Sequence, residues 1–231
     1  MNIAGIAFAL LLSIIHFFGS SLSYGLRRFQ SRLISFSAGI SIAYVFLQLL
    51  PHIYLAVSFL QDLAFIALLS GFVLFHILEK YVYQHARRER LLEELKEVHS
   101  AGFFLYSLVS AGVLYMITSI DFADGLLFFV PMAIYAAVGE FSIAGLQRDI
   151  RESSLLRFVF AFSSFLGAML FAVVDFPKSV TFISLGFVAG VLIYLVVRDV
   201  LPKEKKGSPA FFIAGVALYS LLNFLIRYLK L

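Results

Sequence analysis

The chain has 231 residues, of which 61% are hydrophobic and 14% charged, and its mean hydropathy is +0.97. A soluble globular domain carries roughly 25% charged residues, so the composition excludes that class and points to an integral membrane protein. No cysteine is present, which removes disulfides, thiolate metal sites and cysteine nucleophiles. The net charge of +4 is spread over short loops between apolar runs, which is the pattern of membrane topology and not of nucleic-acid binding.

Apolar runs of about 20 residues predict eight transmembrane helices in a single domain covering 1–231. They fall near 2–24, 33–51, 63–84, 101–122, 126–147, 154–175, 179–198 and 208–229. The first run has no charge before Arg27 and lacks the basic start of a signal peptide, so it reads as a mature span. The stretch HARRERLLEELKEVHS, from His85 to Ser100, alternates charge at helical spacing and predicts a solvated helix extending the third or fourth span.

Basic residues set the orientation. Arg27, Arg28 and Arg32 follow the first run, Arg87, Arg88, Arg90 and Lys96 the third, Arg148, Arg151 and Arg157 the fifth, and Arg198, Lys203, Lys205 and Lys206 the seventh. The other side has only Lys178, Arg227 and Lys230. The asymmetry predicts a multi-pass protein of the cell membrane with both termini outside the cytoplasm.

Two runs repeat without a gap. AGISIAYVFLQLLP (38–51) matches AGVLIYLVVRDVLP (189–202) at Ala38/Ala189, Gly39/Gly190, Ile42/Ile193, Val45/Val196, Leu50/Leu201 and Pro51/Pro202. More weakly, Gly71, Leu74, Phe75, Leu78 and Glu79 fall opposite Gly215, Leu218, Tyr219, Leu222 and Asn223. The even second span and the odd seventh run in opposite directions, so the match predicts two inverted triplets of helices flanking a central pair, an arrangement characteristic of secondary transporters.

These features resemble the ZIP family of divalent-metal transporters. SFSAGISIAYVFLQLLPH (35–52), GFVLFHILEKYV (71–82) and GFVAGVLIYLVVRDVLPKE (186–204) are similar to the family's second, third and seventh spans. The resemblance implies an all-α bundle of eight helices in a 3+2+3 inverted repeat, and transport of a divalent metal cation by alternating access. It also implies a homodimer by analogy, with no permanently bound cofactor and no enzymatic activity.

The metal motifs depart from the family pattern. Where the fourth span carries His-Asn-x-x-Asp/Glu-Gly, this chain has Ile120-Asp121-Phe122-Ala123-Asp124-Gly125, keeping the acid and glycine but not the histidine. In the fifth span Glu140 takes either the histidine position or that of the first acid, depending on register. Gln48 stands where the second span commonly has a histidine, and His52 replaces the glutamate after the proline.

The candidate metal ligands are therefore Asp121, Asp124, Glu140 and Gln48, an oxygen set suited to hard cations such as Mg²⁺, Ca²⁺ or Mn²⁺. A carboxylate at bilayer depth is costly, which makes these acids functional candidates. Two readings of DFADG stay open: a helical pair sharing a face, or a solvent turn. A turn at Gly125 puts Glu140 about 22 Å deeper than the acids, whereas a turn at Pro131 brings Asp124 and Glu140 to similar depths. The polar residues at depth form no nucleophile elbow and no paired-histidine spacing. A relative that has lost transport and serves as a structural or regulatory partner is the alternative function.

Overall fold

The computed structural model describes residues 2–25, 29–85, 91–144, 154–200 and 207–229, with side chains described for all of these except 19–25, 91–93, 95–100, 139–144, 154–157, 160, 199–200 and 229. Among the described residues the chain is all-helical, with no strand. We number the helices α1 (Ile3–Gly25), α2 (Gln30–Leu60), α3 (Leu63–His85), α4 (Leu91–Ile120), α5 (Phe122–Ala144), α6 (Ser154–Val173), α7 (Lys178–Leu195, continued by a π-turn at Val196–Val200) and α8 (Pro209–Leu229). Five of them, α2, α3, α4, α7 and α8, are long and apolar enough to cross a bilayer, and Ile3–Phe18, Phe122–Val138 and Ala161–Val173 are shorter apolar stretches. Of the residues that set the predicted orientation, Arg27, Arg28, Arg87, Arg88, Arg90, Arg148, Arg151, Lys203, Lys205, Lys206 and Lys230 lie outside the described residues.

The helices associate in two groups. In one, α3 lies along α7 and α2 along α8; in the other, α4 lies along α6, and α1 packs on α5 and α6. The main core joins both groups through Tyr44, Leu114, Leu127, Phe128, Leu192 and Tyr219, while Ala9, Ala111, Tyr115, Ala168 and Phe171 form a smaller cluster between α1, α4 and α6. Asn2 caps α1 through Gly5 and ties it to α4, its Nδ2 donating to the Thr118 carbonyl at 3.0 Å.

The repeated runs build matching crossings. A methyl on Gly39 would overlap the Phe212 carbonyl, and one on Gly215 the Phe36 carbonyl. At the α3–α7 crossing, Gly190 meets the Leu68 carbonyl and Gly71 the Phe187 carbonyl. Both helices of the repeat also carry a π-turn beginning at aligned valines, Val45 and Val196. With little hydrophobic drive between helices in lipid, such backbone contact is what brings them together.

Three predicted boundaries move. The second helix does not end at Pro51 but runs on to Leu60. A helical proline cannot donate to the carbonyl four residues back, here that of Leu47, and Asn223 Nδ2 of α8 approaches that oxygen at 3.4 Å. Of the charged segment, 91–100 extends the fourth helix, which starts at Leu91, while His85 ends α3 and 86–90 lie outside the described residues. The α4–α5 turn lies at Asp121, not at Gly125 or Pro131, and Pro131 is inside α5. The carbonyl that Pro131 frees is that of Leu127, and Tyr219 Oη of α8 donates to it at 3.0 Å. Tyr219 and Asn223, one turn apart on α8, thus serve the two carbonyls freed by prolines on α2 and α5, as non-aqueous surroundings require.

Tyr219→Phe is expected to leave the buried Leu127 carbonyl without its donor and to cost about 1–3 kcal/mol. Thermal unfolding in detergent, compared with Tyr228→Phe at a residue 73% exposed, tests this; equal melting of the two variants would refute it.

Candidate functional site

The π-turn at Val45–Leu49 and the proline after it release backbone groups of α2 just where a polar cluster gathers. Gln48, 1% exposed, donates from Nε2 to Asp124 Oδ1 at 3.1 Å. His52, one turn further along, places Nδ1 at 2.8 Å from the Gln48 carbonyl. A carbonyl only accepts, so Nδ1 carries the proton and donates it. Nε2 of the same ring faces Asp124 Oδ2 at 3.3 Å. With Nδ1 protonated, Nε2 of the neutral ring is an acceptor, so its contact with Oδ2 closes through a second proton, on the ring or on the carboxyl, or through a metal ion between them.

The fourth member comes from the last turn of α8. Arg227 Nη2 donates to Gln48 Oε1 at 2.8 Å and lies 3.3 Å from Asp124 Oδ1, while its Nε donates to Asn223 Oδ1 at 3.0 Å. The side chains of Asp124 and His52 are 27% and 17% exposed and that of Arg227 is 48% exposed, so the cluster opens to the surface on the arginine side. It also fastens the two helix groups together, α5 on one side with α2 and α8 on the other.

Of the four sequence candidates, two meet here: Gln48 and Asp124. Asp121 is exposed and caps α5, its Oδ1 accepting the Asp124 amide at 2.8 Å. The turn can be this short because residue 125 is glycine; a Cβ there would run into Thr118. Asp121→Ala is expected to cost about 1 kcal/mol through loss of this cap. Its melting temperature should fall slightly while Asp124 keeps its partners, and a fall as large as that of Asp124→Ala would contradict a capping role. Glu140 belongs to α5, about 24 Å along the same helix from Asp124, so one ion cannot touch both. Its side chain lies outside the described residues.

Sequence reasoning counted Arg227 only as a topology charge, Asn223 only as a repeat position and His52 only as a departure from a motif. The available signal was their spacing: 48 and 52 on α2, and 223 and 227 on α8, each share a helix face.

A second cluster joins α3 to the π-turn of α7. The Tyr194 hydroxyl donates to Glu79 Oε2, which also accepts Arg198 Nη1 at 2.6 Å, and the ring of His76 meets Tyr194 edge-on at 5.9 Å. Arg198, which the sequence presents as one of the basic residues that set the orientation, is 17% exposed and paired with Glu79. His16 of α1 packs edge-on to Phe103 at 4.7 Å, and its buried Nδ1 has no hydrogen-bond partner among the described residues.

Among the described residues no three His, Cys, Asp or Glu side chains converge on one point. His52 and Asp124 are the strong metal donors of the main cluster, and Gln48 is a neutral one. No protein-family model matches the chain, and no curated protein matches it.

Proposed function

We propose that this chain is a ZIP-like carrier of the cell membrane, not an enzyme, with eight spans in a 3+2+3 inverted repeat and both termini outside. It moves a divalent metal cation by alternating access through a site centred on Asp124. The observation that carries this reading is the facing pair of His52 Nε2 and Asp124 Oδ2, 3.3 Å apart. Two ligands bound to one metal ion at about 2.1 Å stand roughly 3.0–3.4 Å apart, so the pair is spaced as two ligands of one ion. His52 is also oriented as metal-binding histidines are, with its other ring N–H held by a carbonyl.

The matched glycine crossings and π-turns support the inverted repeat, and a site beside a break in helix regularity is where carriers place their cargo. An imidazole among the ligands moves the preferred ion from Mg²⁺ or Ca²⁺ toward Mn²⁺, Co²⁺ or Zn²⁺.

The second reading is a ZIP-like protein that has lost transport and acts as a structural or regulatory partner. Arg227 favours it, because its guanidinium already sits on Gln48 and Asp124. Uptake of Mn²⁺, Co²⁺, Zn²⁺ and Mg²⁺ into proteoliposomes separates the two. The carrier gives saturable uptake that falls at least tenfold in both Asp124→Ala and His52→Ala. If folded protein gives no uptake above empty vesicles for any of the four ions, the second reading stands.

A further inference from the structure

We propose that Arg227 is a tethered counter-cation with which an incoming metal ion competes for the Asp124 site, so that the guanidinium sets the affinity of the site and swings out when the ion binds. This rests on the reading of Asp124 and His52 as a cation site, and it adds the regulation of that site from within the chain.

The first support is where the guanidinium sits. One nitrogen, Nη2, reaches Gln48 Oε1 at 2.8 Å and Asp124 Oδ1 at 3.3 Å, the oxygens a cation bound beside His52 would recruit. While it stays there it neutralises Asp124, removes Gln48 Oε1 from the donor set and repels a divalent ion approaching Oδ2.

The second support is its freedom to leave. Gln48 is 1% exposed and Asp124 sits in the first turn of α5, whereas the Arg227 side chain is 48% exposed in the last turn of α8. Its departure breaks contacts to Gln48, Asp124 and Asn223 without unpacking the core. Asn223, one turn back, holds Nε at 3.0 Å and gives the guanidinium a place to return to. When Arg227 leaves, one of the fastenings between α5 and α8 is released, which links binding of the ion to separation of the two helix groups at this end.

The test is Mn²⁺ binding to purified full-length protein in detergent, read from the loss of the free-ion electron paramagnetic resonance signal at one fixed pH. The variants are Arg227→Gln, Arg227→Lys, and Arg227→Gln combined with Asp124→Asn, each first checked for monodispersity and melting temperature. Arg227→Gln is expected to bind Mn²⁺ at least tenfold more tightly than the unaltered protein. Arg227→Lys, which keeps the charge, should stay within a few fold of it, and the double variant should lose the gain.

Folded Arg227→Gln protein that binds no more tightly than the unaltered protein overturns the proposal, as does a gain that persists in the double variant. The failures of the two readings are distinguishable. Asp124-dependent uptake with no gain from Arg227→Gln removes the competing arginine and keeps the carrier. An Asp124-dependent gain in binding, in protein that transports nothing, keeps the competing arginine and removes the carrier.

Discussion

Gly190→Val is expected to yield little or no correctly folded protein. At the α3–α7 crossing a side chain on residue 190 would have to occupy the position of the Leu68 carbonyl, with the Phe72 amide nitrogen 2.8 Å from its Cβ. Both neighbours are backbone, so neither can rotate away, and the only relief is to move the helices apart. That separation also opens the reciprocal contact of Gly71 with Phe187, because the two glycines pack at the same crossing. Overpacking a core costs about 1–3 kcal/mol where side chains can adjust, and more is expected where they cannot.

Gly190→Ala should already lower the melting temperature more than Gly102→Ala, whose new methyl would meet the ring of Phe75 at 2.9 Å, a side chain that can turn. Size-exclusion profiles and thermal unfolding in detergent decide the matter. Equal behaviour of the two alanine variants would mean that the crossing is looser than its geometry indicates.

Glu79→Ala is the second large effect. Tyr194 and Arg198 both donate to one oxygen of Glu79, and the arginine and glutamate side chains are 17% and 18% exposed. Removing one partner of a buried ion pair costs about 3–5 kcal/mol, chiefly because the other charge is left behind, and partial exposure here brings the expected loss to about 2–4 kcal/mol. Glu79→Gln should fall in between, since an amide oxygen still accepts from Tyr194 but does not balance the guanidinium. Combining Glu79→Leu with Arg198→Leu should recover part of the stability lost by either single change, because the two side chains pair directly with each other. Strictly additive losses in that double-mutant cycle would show that the pair is not coupled.

The all-helical fold, with eight helices among the described residues and five of them long and apolar enough to cross a bilayer, was legible in the sequence because long apolar runs between charged breaks favour a helix that satisfies its own backbone. The Gly-to-Pro spacing shared by 38–51 and 189–202 also carried structural information, since aligned glycines make the two tight crossings and aligned valines start the two π-turns. Gln48 and Asp124 stood out as polar groups in apolar surroundings, and they do meet.

Tertiary packing decided the rest. Pro51 and Pro131 look like helix ends in a sequence window, yet both helices continue, because Asn223 and Tyr219 of α8 supply the donors that the prolines cost. The same helix brings Arg227 onto Gln48 and Asp124, and no local pattern could pair residues separated by 179 and 103 positions. In the DFADG stretch, Asp121 spends its carboxylate on capping α5 and Asp124 turns inward to His52. Glu140, equally prominent in the sequence as an acid among apolar residues, is removed from that site by the helical rise alone, about 1.5 Å for each residue of an uninterrupted α5. Composition determined that these polar groups would lie among apolar helices; which of them neutralise one another was decided by which helix faces the glycine crossings bring together.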